Sequence, residues 1–147
     1  MILAENKRGL FDYDILEKFE AGLVLRGFEV KSIKDGGVQL KGSYVTFHND
    51  GAYIINMHIS PYKPAGPLPD YNPTASRHLL LRKKQIRYLR GKSEEKGLTI
   101  IPTKVYTKNR LVKVEVAVAR GRKTFDKREL IKKREIKREM EKARKYE

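Results

Sequence analysis

The sequence predicts a mainly β fold, α+β by content, and three observations carry that expectation. Residues 111–119 alternate: Val112, Val114, Val116 and Val118 fall on one face, and Leu111, Lys113, Glu115 and Ala117 on the other. Two runs rich in β-branched and aromatic residues, 43–48 and 52–59, flank Asn49, Asp50 and Gly51, a strong hairpin signal. Helix-compatible stretches are few and short. About six short strands with two or three small flanking helices point to a compact, partly closed β-barrel of OB type.

The elements follow in chain order. Residues 13–20 place Ile15, Leu16 and Phe19 on one side of a short helix, with Asp12 or Asp14 as its N-cap. Residues 21–25 form a strand, and residues 28–34 a second helix stopped by Gly36 and Gly37. After the hairpin, the stretch from Pro61 to Pro73 is proline-rich, holds Gly66 and predicts a long loop. Leu79, Leu80 and Leu81 resume a buried strand. Residues 83–96 are amphipathic, with Ile86, Leu89 and Arg90 in helical register, and Gly97 ends that helix. Residues 98–107 and 111–119 then pair around a turn at 108–110. The valine ladder faces the core, and the other face of that strand meets water or a ligand. No internal repeat is present.

Charge is the second axis. The chain carries 33 Lys and Arg against 18 Asp and Glu, a net +15, with a pI near 10.0. From Arg120 onward 13 basic residues face six acidic ones, so this stretch alone supplies +7. The chain therefore divides into a barrel over residues 1–120 and a basic tail over 121–147. In the tail Ile136, Met140 and Ala143 share a helical face, but Leu130 and Ile131 point elsewhere, so no stripe is wide enough to dock on a core. Glu135 with Arg138, Glu139 with Lys142 and Glu141 with Lys145 are spaced to favour helix. Such pairs add only ~0.2–0.5 kcal/mol each, too little for a lone helix. The tail is expected to be disordered when free and helical against an acidic partner. A phosphate backbone fits that partner. A membrane surface would require bulky apolar residues opposite the charges, and the chain has no Trp.

Other function classes recede. No apolar segment approaches the ~20 residues of a membrane-spanning helix, and no signal-peptide pattern opens the sequence. The absence of Cys removes disulfides, thiol chemistry and the usual zinc fingers, which leaves a cytoplasmic address as the default. His48, His58 and His78 have no acid or thiol at ligand spacing, Gly36 and Gly37 do not open a phosphate-binding loop, and Asp12 and Asp14 read as capping residues. No catalytic residue, metal or cofactor is expected.

Several collinear stretches together resemble one family. Asn6, Lys7 and Arg8 lead into residues 19–33, which hold Glu29, Val30, Lys31 and Ser32 in sequence. Residues 42–45 lead to 55–62; Asn72 and Pro73 precede Leu79; residues 96–102 and 112–119 follow. The block Gly121, Arg122, Lys123, Thr124, Phe125, Asp126, Lys127, Arg128 closes the set. Over nearly its whole length the chain is similar to the SsrA-binding proteins, the small protein B family of bacterial trans-translation.

That resemblance implies an OB-type barrel that binds the tRNA-like domain of transfer-messenger RNA (tmRNA) and delivers it to stalled ribosomes. It implies RNA-contacting positions at Asn6, Glu20, Leu80 and Lys113, and tail residues Asp126, Lys127 and Arg128 that act inside the ribosome, against small-subunit ribosomal RNA. Lys7 and Arg8 begin a basic entry segment, and Lys113 lies on the charged face of its strand, as phosphate contacts require. Lys31, Arg122 and Lys123 belong to the family-like motifs and join the expected RNA-binding set. Before Leu79 the family shows closely spaced basic residues ending in Arg-Lys; this chain has Arg77 and then His78, which thins the charge there. Phe125 stands where relatives carry His or Tyr, and its ring can still stack on a base, worth ~1–3 kcal/mol. The expected protein is a monomeric, non-enzymatic RNA adaptor whose tail fills the empty messenger channel. A ribosomal or ribosome-assembly protein is the alternative, sharing the charge but not the Asp126-Lys127-Arg128 block.

Overall fold

The structure, a computed structural model, describes residues 1–122 and 131–140. The chain runs β1 (Ile2–Glu5), α1 (Lys7–Asp12), β2 (Tyr13–Leu23), α2 (Gly27–Lys34), β3 (Val38–Gln39), β4 (Tyr44–His48), β5 (Gly51–Ile55) and β6 (His58–Ile59). It continues through a 3-10 turn (Lys63–Ala65), β7 (Arg77–Leu80), α3 (Lys83–Glu94), β8 (Leu98–Lys108) and β9 (Leu111–Gly121). Residues 131–140 form a further helix, α4, exposed along its length.

Seven strands build one antiparallel sheet in the order β1-β8-β9-β2-β7-β5-β4, and β3 pairs with β6 in a small second sheet. The architecture is thus mostly antiparallel β with several short helices. Nine strands stand among the described residues where about six were expected, because the short β1, β3 and β6 lack a legible period. No ladder joins the edge strands β1 and β4 among the described residues, although β4 packs against β8 across the core.

The valine ladder behaves as expected. Val112, Val114, Val116 and Val118 are buried, together with Ile54, Leu79, Ile100 and Val105 of the facing strands, and Leu89 of α3 seals one side. Ala117 and Ala119, on the opposite face of β9, are buried too, so that face is closed in its middle and opens to solvent at Leu111, Lys113 and Glu115 toward one end and at Gly121 at the other. Both hairpins form. Lys108 pairs with Leu111 around Asn109 and Arg110, whose positive φ of 52° and 67° is the left-handed pair that a tight two-residue hairpin demands.

One expected helix is a strand. Residues 13–20 lie in β2, and a bulge between Ile15 and Glu17 explains the misleading pattern. The extra residue, Leu16, breaks the two-residue alternation, so Ile15, Leu16 and Phe19 acquire helix-like spacing within a strand. The helix comes one segment earlier. Asn6 caps α1, accepting from the Gly9 backbone N–H at 2.9 Å, and its own amide donates to the Pro102 carbonyl at 2.8 Å. Pro102 has no N–H for the ladder, and the bulge beside it at Thr103 leaves that part of β8 free to hold Asn6. A Cβ on Gly9 would come within 2.5 Å of the Asn6 amide, so the cap requires glycine there.

The tail was expected to be disordered when free, yet residues 131–140 are helical. Their Glu135–Arg138 spacing supports a helix locally, and Arg134 adds an anchor by placing its guanidinium 5.4 Å from the Phe11 ring centre.

Candidate nucleic-acid interface

The outer face of the sheet brings several expected residues together by register. Gly22 of β2 pairs with both Leu80 of β7 and Lys113 of β9, and Lys113 pairs in turn with Tyr106 of β8. Leu80, Gly22, Lys113 and Tyr106 therefore form one row across four strands, with Glu20 two residues along β2. Gly22 is what lets Leu80 lie flat, since a Cβ there would sit 3.2 Å from the Leu80 Cβ. Leu80 stays 55% exposed, an aliphatic floor left open by the described residues.

Glu20 is organised around that floor. The Tyr106 hydroxyl donates to its Oε2 at 2.5 Å, and Lys108 Nζ approaches both carboxylate oxygens at 3.5 Å. The Tyr106 hydrogen bond, aided by the Lys108 and Lys113 charges, holds the Glu20 carboxyl below its ordinary range, and burial and Glu20 push Tyr106 up. At neutral pH the site thus offers a fixed carboxylate acceptor and a phenol that keeps its proton. Around the row lies a groove of about 840 Å³, lined by Glu20, His78, Leu80, Arg82, Lys83 and Lys113 among others. Apolar floor, flanking cations and one anchored acceptor can seat a base, two phosphates and a base-edge donor at once.

The remaining expected residues lie elsewhere. Lys7 and Arg8 of α1 line a separate cleft of about 660 Å³ with Phe11, Lys41, Ile131 and Arg134. Arg8 pairs there with Asp12 at 2.9 Å. Asn6 is buried, with both polar side-chain atoms engaged inside the protein, so it shapes the entry to α1 from beneath. Lys31 is exposed on α2 with its ammonium 5.9 Å from the Tyr62 ring, and it lines neither groove. Arg122 is tied to Asp14 at 2.9 Å and to the Phe11 carbonyl at 3.4 Å, closing the end of β9 against α1. Lys123, Phe125, Asp126, Lys127 and Arg128 lie outside the described residues.

Arg77 requires a correction. Expected at the RNA face, it points inward and is 4% exposed. Its guanidinium is taken up by Glu29 at 2.7 and 2.9 Å, by the Met57 carbonyl at 2.6 Å and by the Tyr71 hydroxyl at 3.1 Å. Strand alternation is the reason: Arg77 shares a face with buried Leu79, while His78 shares the outer face with Leu80. Tyr106, Lys108, Arg82 and Lys83 were not singled out from the sequence. The turn at 109–110 sets the register that opposes Tyr106 to Lys113, and that was the available signal.

Comparison with known proteins decides the family. The model of the SmpB protein family matches residues 3–146. The chain belongs to the SmpB family. The SsrA-binding protein of Persephonella marina is 52% identical over 141 residues, covering 96% of this chain and 92% of that one. The SsrA-binding protein of Trichodesmium erythraeum is 47% identical over 142 residues, covering 97% and 91%. A solved structure described as "tmRNA-SmpB: a journey to the center of the bacterial ribosome" superposes with a TM-score of 0.70 at 43% identity, covering 82% of this chain and 85% of its own. No described helix is long and apolar enough to cross a membrane.

Proposed function

We propose that this chain is an RNA-binding adaptor of trans-translation: it binds the tRNA-like domain of tmRNA and brings it to stalled ribosomes in the cytoplasm. The observation that carries the reading is the convergence of Glu20, Leu80 and Lys113 on one outer groove, in a chain matched almost end to end by SsrA-binding proteins. Lys113, Lys83 and Arg82 hold phosphates, Leu80 packs under a base or sugar, and Glu20 accepts from a base edge. No acid–base pair is needed, since the RNA is carried and not transformed. We assign the curled sheet to the OB type, with the sheet wrapped around the valine ladder.

The tail acts on the ribosome. In this reading Asp126 serves, on the ribosome, as the N-cap of a helical turn formed there, worth ~0.5–2 kcal/mol. Lys127 and Arg128 anchor that turn to small-subunit ribosomal RNA, and Phe125 stacks beside them. The test is a variant with Asp126, Lys127 and Arg128 all replaced by Ala, assayed for alanine transfer on stalled ribosomes and for affinity to free tmRNA. Transfer is expected to be abolished with affinity nearly unchanged. Wild-type transfer would overturn the tail's role, and bulk ribosomal RNA as the only RNA that co-purifies with the chain would overturn the adaptor reading.

A further inference from the structure

We propose that the outer face of β4, β5 and β7 carries a base-stacking subsite, built from His48, Tyr53 and His78, that receives unpaired bases of the bound RNA. The inference rests on the adaptor reading and extends its groove by one sheet edge. Tyr53 and His78 are direct register partners, and their rings stack with centres 5.1 Å apart at an interplanar angle of 25°. On the other side His48 lies 6.1 Å from Tyr53, tilted by 51°. Three rings therefore cross three adjacent strands, His78 directly opposite Tyr53 and His48 diagonal to it, with His48 and His78 exposed and Tyr53 half-buried between them.

The backbone makes room for this row. A Cβ on Gly51 would stand 3.1 Å from the Tyr53 ring, so a glycine at the start of β5 lets that ring lean across the strand. The row is continuous with the groove, because His78 lines the groove together with Leu80. A single-stranded segment leaving Leu80 along the sheet meets His78 first, then Tyr53, then His48. None of the three is a fixed cation, so the row does not read phosphates. It offers the outward π face of a stacked pair and the tilted face of His48 beside it, which suit unpaired bases of any sequence. The groove's cations and the rings would thus divide the RNA between them, backbone to one and bases to the other.

The experiment titrates a transcribed tRNA-like domain of tmRNA against the full chain at several salt concentrations. A His48→Ala/His78→Ala double variant is expected to weaken binding about tenfold, the effect of one lost stacked base, with the slope of log K against log salt unchanged. Tyr53→Phe should bind as wild type, and Tyr53→Leu, which keeps bulk without the ring, should weaken binding like the double variant. Melting temperatures within a few degrees of wild type establish that the variants fold. A photoreactive benzoylphenylalanine in place of Tyr53 should cross-link to an unpaired nucleotide. Wild-type affinity of the double variant and of Tyr53→Leu, with Lys113→Ala weakened, would overturn the subsite and leave the groove standing. Wild-type affinity of all of them, Lys113→Ala included, would overturn the adaptor groove and the subsite with it. A cross-link confined to a paired stem or to another protein would also overturn it.

Discussion

Two clusters on opposite sides of the sheet are made of the same parts, a glutamate, a tyrosine and a cation, and they do different things. Inside, Glu29 Oε2 accepts from Arg77 at 2.7 Å, and the Tyr71 hydroxyl shares its one proton between the Ile59 carbonyl at 2.9 Å and Glu29 Oε2 at 3.2 Å. Outside, Glu20 accepts from Tyr106 at 2.5 Å and from Lys108 at 3.5 Å. The inner ions are 4% and 7% exposed; the outer pair is 58% and 40% exposed. Buried, the arrangement is a fastener that ties α2 and the proline-rich loop to β7, with every polar group answered by protein. Exposed, the same chemistry keeps its remaining valences open to solvent, where the proposed function places RNA. Burial, not residue type, separates the fastener from the open cluster.

Removing one cation from each cluster separates their roles. Arg77→Met should cost ~3–5 kcal/mol in chemical denaturation, because it strands the Glu29 charge in the interior. The double variant Glu29→Gln/Arg77→Met should recover part of that loss, since the stranded charge is then gone. Lys108→Ala should leave the melting temperature unchanged, because its partner is solvated. Equal losses at both sites would show that burial is not what distinguishes them.

A smaller effect sharpens the inner cluster. Burial, followed by the Glu29 charge, raises the Tyr71 hydroxyl above its ordinary 10.0. A raised folded value means that the stabilisation is fully present below pH 10 and is lost as the pH rises through the folded value. Tyr71→Phe should therefore cost ~0.5–1.5 kcal/mol at neutral pH, with the gap to wild type closing only in alkali. Denaturation curves of both proteins at pH 7 and above pH 10 check this. A gap that holds constant across that range would mean that the Tyr71 proton does not matter to the latch.

What could be read from residues alone follows the same line. The valine ladder and the hairpin turns at 49–51 and 109–110 were legible because period two and turn chemistry are local signals. β2 was not, because its bulge at Leu16 converts strand spacing into helix spacing. The outer groove was legible at Glu20, Leu80 and Lys113 through family-like motifs, while Tyr106 and Lys108 enter it only through cross-strand register. Arg77 was misplaced because a basic residue beside a leucine run reads as surface. Its parity with Leu79 pointed inward, and its partner Glu29 lies 48 residues away in sequence.

Whether RNA is held in the outer groove is decided at Lys113. Equilibrium titration of the tRNA-like domain of tmRNA into wild type and Lys113→Ala, repeated over a range of salt, gives affinity and salt slope together. On the proposed reading Lys113 holds one phosphate and supports no core, so the variant should bind more weakly, with its slope reduced by about one unit and its melting temperature unchanged. Wild-type affinity and an unchanged slope would place the RNA off this face.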